Sequence, residues 1–134
     1  MTTARILFFT LLATLALQSK GVAQLPPMPP APTSLVGHHD IKNMDGTPVV
    51  PGHTASIEVS VQGGVMIGVV RLDGVAIPSQ TTTFELVNGD PLLYTFTNVA
   101  GNSGFCAWNP ASQQFENLTV TGPGSGNTRA LCPR

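Results

Sequence analysis

The side chains best suited to metal chemistry lie close together in the sequence, as the run His38, His39 and Asp40 followed by His53. Imidazole and carboxylate ligands suit zinc or copper, and three protein ligands with one open position would form a catalytic metal centre. Adjacent residues of a strand point to opposite faces, however, so His38 and His39 could not both reach one ion. The pattern favours incidental histidines in a solvated loop, with a metal-binding secreted protein as the alternative.

Two cysteines, Cys106 and Cys132, are candidates for a disulfide bond. In an oxidising compartment an even pair of cysteines predicts one bond, which would stabilise the protein by about 3–4 kcal/mol through closure of the loop. The alternative is two free, reactive thiols, but no histidine or cationic cluster adjoins either cysteine in the sequence. We therefore expect the disulfide.

Trp108 is the residue most suited to contact a ligand, since exposed aromatic side chains stack on sugar rings or anchor interfaces. Its alternative place is the core, packed over the expected disulfide, and the small number of aromatic residues favours that alternative. Asn117, in Asn117-Leu118-Thr119, is an acceptor for N-glycosylation if the source is eukaryotic.

Signs of catalysis are few. No serine lies in a G-x-S-x-G turn, and the histidines are confined to one irregular segment. Three of the seven acidic residues, Asp45, Asp73 and Asp90, adjoin a glycine, which is typical of turns. A small secreted enzyme of unknown type remains an alternative, but the sequence favours a protein without catalytic activity and without a cofactor.

The first 23 residues have the layout of a cleaved secretory signal. Arg5 precedes an apolar run from residue 6 to 17, and the small residues Gly21 and Ala23 precede the expected cleavage site. The run is shorter than the roughly 20 residues that span a bilayer. We expect a signal peptide at 1–23, a Pro-rich linker at 24–33 and one domain at 34–134, secreted, periplasmic or on the cell surface.

The charge of the expected mature chain argues against two classes of partner. Four Lys and Arg residues remain there against seven Asp and Glu, a formal charge of −3. Dispersed cations of that number cannot neutralise a run of phosphates, so nucleic acid is excluded. The mature chain also has no predicted membrane span.

Short strands dominate the remaining pattern. Apolar residues alternate with polar ones in several segments, and Gly-, Pro- and Asn-containing turns separate them. Two-residue turns are expected at Asp73-Gly74 and at Asn88-Gly89. Seven to nine strands predict an antiparallel Greek-key β-sandwich. The predicted core comprises Ile57, Val59, Val61, Val69, Leu86, Tyr94 and Phe96.

Residues 68–102 contain GVVRLDGVAIP, a Thr-rich strand and YTFTNVAGN. That order resembles two groups of extracellular β-sandwich modules, the carboxypeptidase regulatory-like domain and the bacterial immunoglobulin-like module. The resemblance implies a sandwich fold and a role as a support, stalk or binding module, with no catalytic residues to carry over. The expected function is therefore binding, adhesion or structural support outside the cytoplasm, with a protein or carbohydrate at the cell surface as partner.

Overall fold

The computed structural model describes residues 29–134, whose regular secondary structure is almost entirely β. One short 3₁₀ helix, Pro78–Gln80, interrupts the strands. The expected signal peptide and the first part of the expected linker lie outside the described residues, while residues 29–33 contain no strand and are mostly exposed. The strands are β1 Gly37–Asn43, β2 Ala55–Gln62, β3 Val65–Leu72, β4 Val75–Ala76, β5 Thr82–Gly89, β6 Leu92–Asn98, β7 Ser103–Asn109, β8 Gln114–Thr121 and β9 Thr128–Pro133.

Eight of these strands close into an antiparallel barrel. Each pairs with the next along the chain, except that β3 pairs with β5 across the two-residue β4, and β9 pairs back with β1. The expected Greek-key β-sandwich, with its immunoglobulin-like topology, is therefore wrong. Period-two alternation shows that one face of each strand is buried, and a single sheet closed on itself meets that requirement as well as two packed sheets do.

The two ends of the barrel differ in how the chain connects the strands. At one end the links are short, and the segment that precedes β1 lies across them. We call this the closed end. At the other end, the open end, lie the three longest connections, residues 44–54, 73–81 and 122–127, together with the four-residue link 99–102.

One of the two expected turns is confirmed. Asp73 and Gly74 join β3 to β4 with positive φ at both residues, as a two-residue turn between Leu72 and Val75 requires. The turn expected at Asn88-Gly89 is wrong, because β5 continues through both residues and the reversal comes at Asp90-Pro91. Proline has no N–H for the ladder, so pairing stops there rather than at the glycine.

Inward-facing side chains fill the closed half of the barrel. Four of the seven predicted core residues are buried inside the barrel, Val59 and Tyr94 in this half and Ile57 and Phe96 beside the cavity described below. The other three are not, for reasons of position. Val69 is half-buried on the outer face, since Gly68 and Val70 face inward. Val61 and Leu86 are 57% and 55% exposed, because both lie near strand ends at the closed end of the barrel.

Leu35 plugs the closed end. This residue precedes β1 and is 0% exposed. Its backbone N–H donates to the Tyr94 hydroxyl at 3.0 Å, and its carbonyl accepts a hydrogen bond from His39 Nε2 at 2.7 Å. Phe115 lies edge-on to the rings of His39 and Trp108. These aromatic side chains form a packed floor, and a cavity lies above them.

Candidate functional site

A cavity of about 370 Å³ lies inside the barrel at the open end. Eight strands enclose an interior wide enough either to be filled by side chains or to hold one small ligand. Ligand sites commonly have volumes of about 300–1,000 Å³. With about 30 Å³ for each water molecule in the liquid, this cavity has room for about a dozen water-sized groups.

One wall of the cavity is apolar. Ile57 on β2, Val70 on β3 and Phe84 on β5 face inward side by side, because their strands are neighbours in the barrel. The Phe84 ring tilts against that of Phe96 on β6, with 6.3 Å between the ring centroids. Further apolar side chains continue this wall around the interior and up to the rim, namely Ile41, Leu131, Val49, Val50, Leu72 and Ile77.

The opposite wall is polar and is built by β8 and β9. Asn117 on β8 lies directly across the ladder from Arg129 on β9, and Thr119 lies one inward position nearer the rim. Gly104 on β7 is the partner of Thr119. A Cβ atom at Gly104 would collide with the Leu118 carbonyl oxygen, so β7 and β8 could not approach in this way with any other residue.

The asparagine side chains near the rim of the cavity differ in their hydrogen-bond partners. Asn98 Oδ1 accepts a hydrogen bond from the Asn102 backbone, and Asn102 Oδ1 accepts one from Gly124 N–H at 2.7 Å. These two side chains hold the loops at residues 99–102 and 122–127. Asn117 is different, since its Oδ1 is buried and has no hydrogen-bond partner within the described residues. A buried amide without a partner is costly unless another molecule provides one.

The cavity carries positive charge. Arg129 and Arg71 are among its lining residues, and no aspartate or glutamate of the described chain is. Arg129 donates only a long hydrogen bond, 3.3 Å, to the neighbouring Thr128 carbonyl. The ion pairs of residues 29–134 involve other groups, Arg134 with Asp40 and His53 with Asp73. A half-buried guanidinium therefore faces the cavity without a counter-ion from residues 29–134.

The structure does not assemble the candidate metal site of His38, His39, Asp40 and His53. His39 faces into the barrel, and burial, with a smaller contribution from His38, lowers its pKa against the opposing effect of its hydrogen bond to Leu35. His38 and Asp40 lie on the outer face of β1, and Asp40 pairs with Arg134 at 2.8 Å. Between residues 29 and 134 no group of three His, Cys, Asp or Glu side chains is placed to hold a metal ion.

His53 instead pairs with Asp73, with 2.5 Å between Nδ1 and Oδ2. The other carboxylate oxygen of Asp73 accepts the Thr54 N–H at 2.8 Å. The hydrogen bond from His53, helped by that from Thr54, holds the pKa of Asp73 below its ordinary value. Both partners are about half exposed, so this pair fastens the loop before β2 to the turn after β3.

The expected disulfide is wrong, because both cysteines are free and lie on opposite faces of the sheet. Cys106 faces the interior, where burial raises the pKa of its thiol to about 12. Cys132 alternates with the inward-facing Leu131 and therefore lies on the outside, beside Gln114. Strand β8 also separates the two strands that carry them.

Trp108 and Asn117, the other two candidate site residues, do not lie on the exposed surface of the barrel. Trp108 is half-buried and packs on Phe115, with 5.0 Å between the ring centroids, which agrees with its core alternative except that no disulfide lies beneath it. Asn117 faces the cavity, so the folded chain does not present it for glycosylation.

Sequence reasoning missed the residues of the polar wall, above all Arg129 and Thr119. The one available signal was the alternation of Arg129, Leu131 and Pro133 in β9, which puts an arginine on the same face as a buried leucine. That signal depends on knowing which face is inside, and the strand is too short and mixed to show it.

The comparisons with known proteins leave this geometry as the main evidence. No protein-family model, curated protein or solved structure matches the chain. The resemblance of residues 68–102 to extracellular modules stays a prediction. In the described part of the chain, no helix is both long and apolar enough to cross a membrane.

Proposed function

We propose that this protein is an exported binding protein that holds one small, largely apolar molecule inside its barrel. The observation that carries the proposal is the cavity of about 370 Å³ above a packed aromatic floor. A barrel whose only task was support could fill its interior with side chains along its whole length. Here the filling stops halfway, and the longer loops surround the space that is left.

The lining favours binding over catalysis. Acid–base and nucleophilic catalysis depend mainly on His, Asp, Glu, Cys, Ser or Lys side chains. The side chains that line the cavity within residues 29–134 are instead apolar groups, amides, threonines and arginines. The support for export is the signal-peptide pattern of residues 1–23, which lie outside the described residues.

The proposal can be tested with 1-octanol, a neutral molecule of suitable size, in an NMR titration of the mature protein. We expect saturable shifts of inward-facing residues such as Phe84, Thr119 and Leu131, and none on the outer face of the same strands. Burial of the alkyl chain on the apolar wall provides the driving force.

A pair of variants localises the binding. Ala55 begins β2 and lines the cavity, so Ala55→Trp should fill the space and weaken octanol binding by about tenfold or more. Gln62→Trp puts the same side chain on the exposed outer face of the same strand and should leave binding unchanged. Absence of saturable shifts in the wild type, or equal binding by both variants, would refute the proposal.

A further inference from the structure

We infer that the ligand of this cavity carries a single carboxylate, which Arg129 binds, and an apolar body, which lies on the opposite wall. The inference rests on the proposed binding function and specifies the chemical class of the ligand. Its basis is the division of the cavity into one polar and one apolar wall.

The first argument is the state of Arg129. Its side chain faces the interior from β9, it is half-buried, and its neighbours across the ladders are Asn43 and Asn117, both neutral. Removing a charge from water is costly unless an opposite charge compensates for it. Since no carboxylate of residues 29–134 lines the cavity, the compensating charge has to come from the ligand.

The second argument concerns the groups beside Arg129. The half-buried Asn117 lines the cavity directly across the ladder from Arg129; its amide oxygen is buried, and its N–H groups are neutral donors. The Thr119 hydroxyl lines the cavity one inward position further along β8. One planar guanidinium with neutral donors beside it matches a carboxylate, which accepts two parallel hydrogen bonds. A phosphate dianion would leave a second charge on the polar wall, where Arg129 is the one cation among the described residues; Arg71, the other arginine that lines the cavity, belongs to β3 on the opposite side of the barrel.

The third argument concerns the distance between the two walls. The apolar side chains of β2, β3 and β5 face the polar wall across the barrel, so one molecule can contact both at once. The cavity has room for about a dozen water-sized groups, which suits a medium-chain or aromatic monocarboxylate. A purely apolar ligand would leave the guanidinium and the amide without partners, at a cost in affinity.

The experiment compares three probes of the same chain length, octanoate, 1-octanol and octylammonium, by isothermal titration calorimetry at neutral pH. Octanoate should bind the wild type about tenfold or more tightly than octanol, and octylammonium should bind most weakly. Octylammonium binding as tightly as octanoate would overturn the inference, and this comparison requires no variant.

Variants then assign the effect to Arg129. Arg129→Gln should weaken octanoate binding by about tenfold or more and change octanol binding by less than about twofold. Arg129→Lys keeps the positive charge but not the paired donors, so its affinity for octanoate should lie between those of the wild type and Arg129→Gln. Lys42→Gln removes one positive charge from an exposed position on the neighbouring strand β1. It should change the affinity for neither octanoate nor octanol. Unchanged octanoate binding by Arg129→Gln would overturn the inference.

Failure of this inference can be distinguished from failure of the proposed function. If octanol binds inside the barrel and octanoate binds no better, only the carboxylate assignment is lost. If no probe binds the wild type, the binding function itself fails. Should Arg129→Gln not fold, the wild-type ranking of the three probes and the Arg129→Lys variant still decide the matter.

Discussion

The two ends of the barrel interior are built from the same strands but with different residue types. Along β8, the inward positions run from Phe115 at the closed end through Asn117 to Thr119 at the open end. Along β6 they run from Leu92 and Tyr94 through Phe96 to Asn98. These two strands therefore each have a packed apolar layer at one end and polar groups at the other.

Because of this difference, one end of a strand contributes to the stability of the fold and the other end contributes to the proposed ligand site. At the closed end most inward side chains are packed and Leu35 seals the layer with two hydrogen bonds, although His39 Nδ1 and Trp108 Nε1 are buried without partners among the described residues. At the open end a buried amide oxygen and a guanidinium lack such partners among the described residues. Unmet polar groups lower stability at both ends, so the packed apolar side chains have to supply the free energy that holds the binding end in place.

The largest expected effect tests this division on one strand. Phe115→Ala removes a fully buried ring that contacts His39 and Trp108, and should lower the free energy of unfolding by about 3–5 kcal/mol. Asn117→Ala, two residues away on the same face, should change it by less than about 1 kcal/mol, because the lost amide has an unpartnered oxygen. Urea unfolding of both variants measures the difference. Equal losses would show that the open end contributes as much stability as the closed end.

A smaller loss in the free energy of unfolding is expected at the hydrogen bond between Tyr94 and Leu35, the residue that plugs the closed end. Tyr94→Phe removes the oxygen that accepts the Leu35 N–H and leaves a buried donor without a partner. The expected loss is about 1–3 kcal/mol. Phe96→Tyr is a matched control, since it adds a hydroxyl to a ring on the same face of the same strand but beside the cavity. If Tyr94→Phe unfolds at the wild-type urea midpoint, the hydrogen bond to Leu35 does not hold the plug.

The strands were predictable from the sequence, and their closure was not. The alternation around Ile57 and the Asp73-Gly74 turn depend on neighbours in the chain, so β2, β3 and the hairpin after it follow from local pattern. Closure depends on pairing between β9 and β1, which are about 90 residues apart and carry no complementary motif. Unless the closure is known, the interior face of β9 cannot be identified. Arg129 then cannot be distinguished from the other three cations of the expected mature chain.

The cysteines show the same limit. Cys106 and Cys132 form an even pair in an expected export context, and compartment alone predicts a bond. Whether two cysteines can meet depends on which sheet face each occupies and on how many strands lie between them. Both facts follow from the closed sheet, so the count of cysteines could not reveal them.

The smallest expected effect is the pH dependence that His39 gives to the closed end. Burial lowers the pKa of this side chain in the folded protein, whereas the unfolded chain has the ordinary value of 6.5. As the pH falls through that value, the unfolded state takes up a proton that the folded state does not, so stability falls. His39→Gln removes the titrating group and should reduce the loss between about pH 7.5 and about pH 5.5. His38→Gln should keep most of it, because His38 is the smallest of the causes that shift the pKa of His39. Urea midpoints at the two pH values measure these slopes. If the urea midpoint of His39→Gln changes between the two pH values as much as that of the wild type, protonation of His39 does not govern stability in this range.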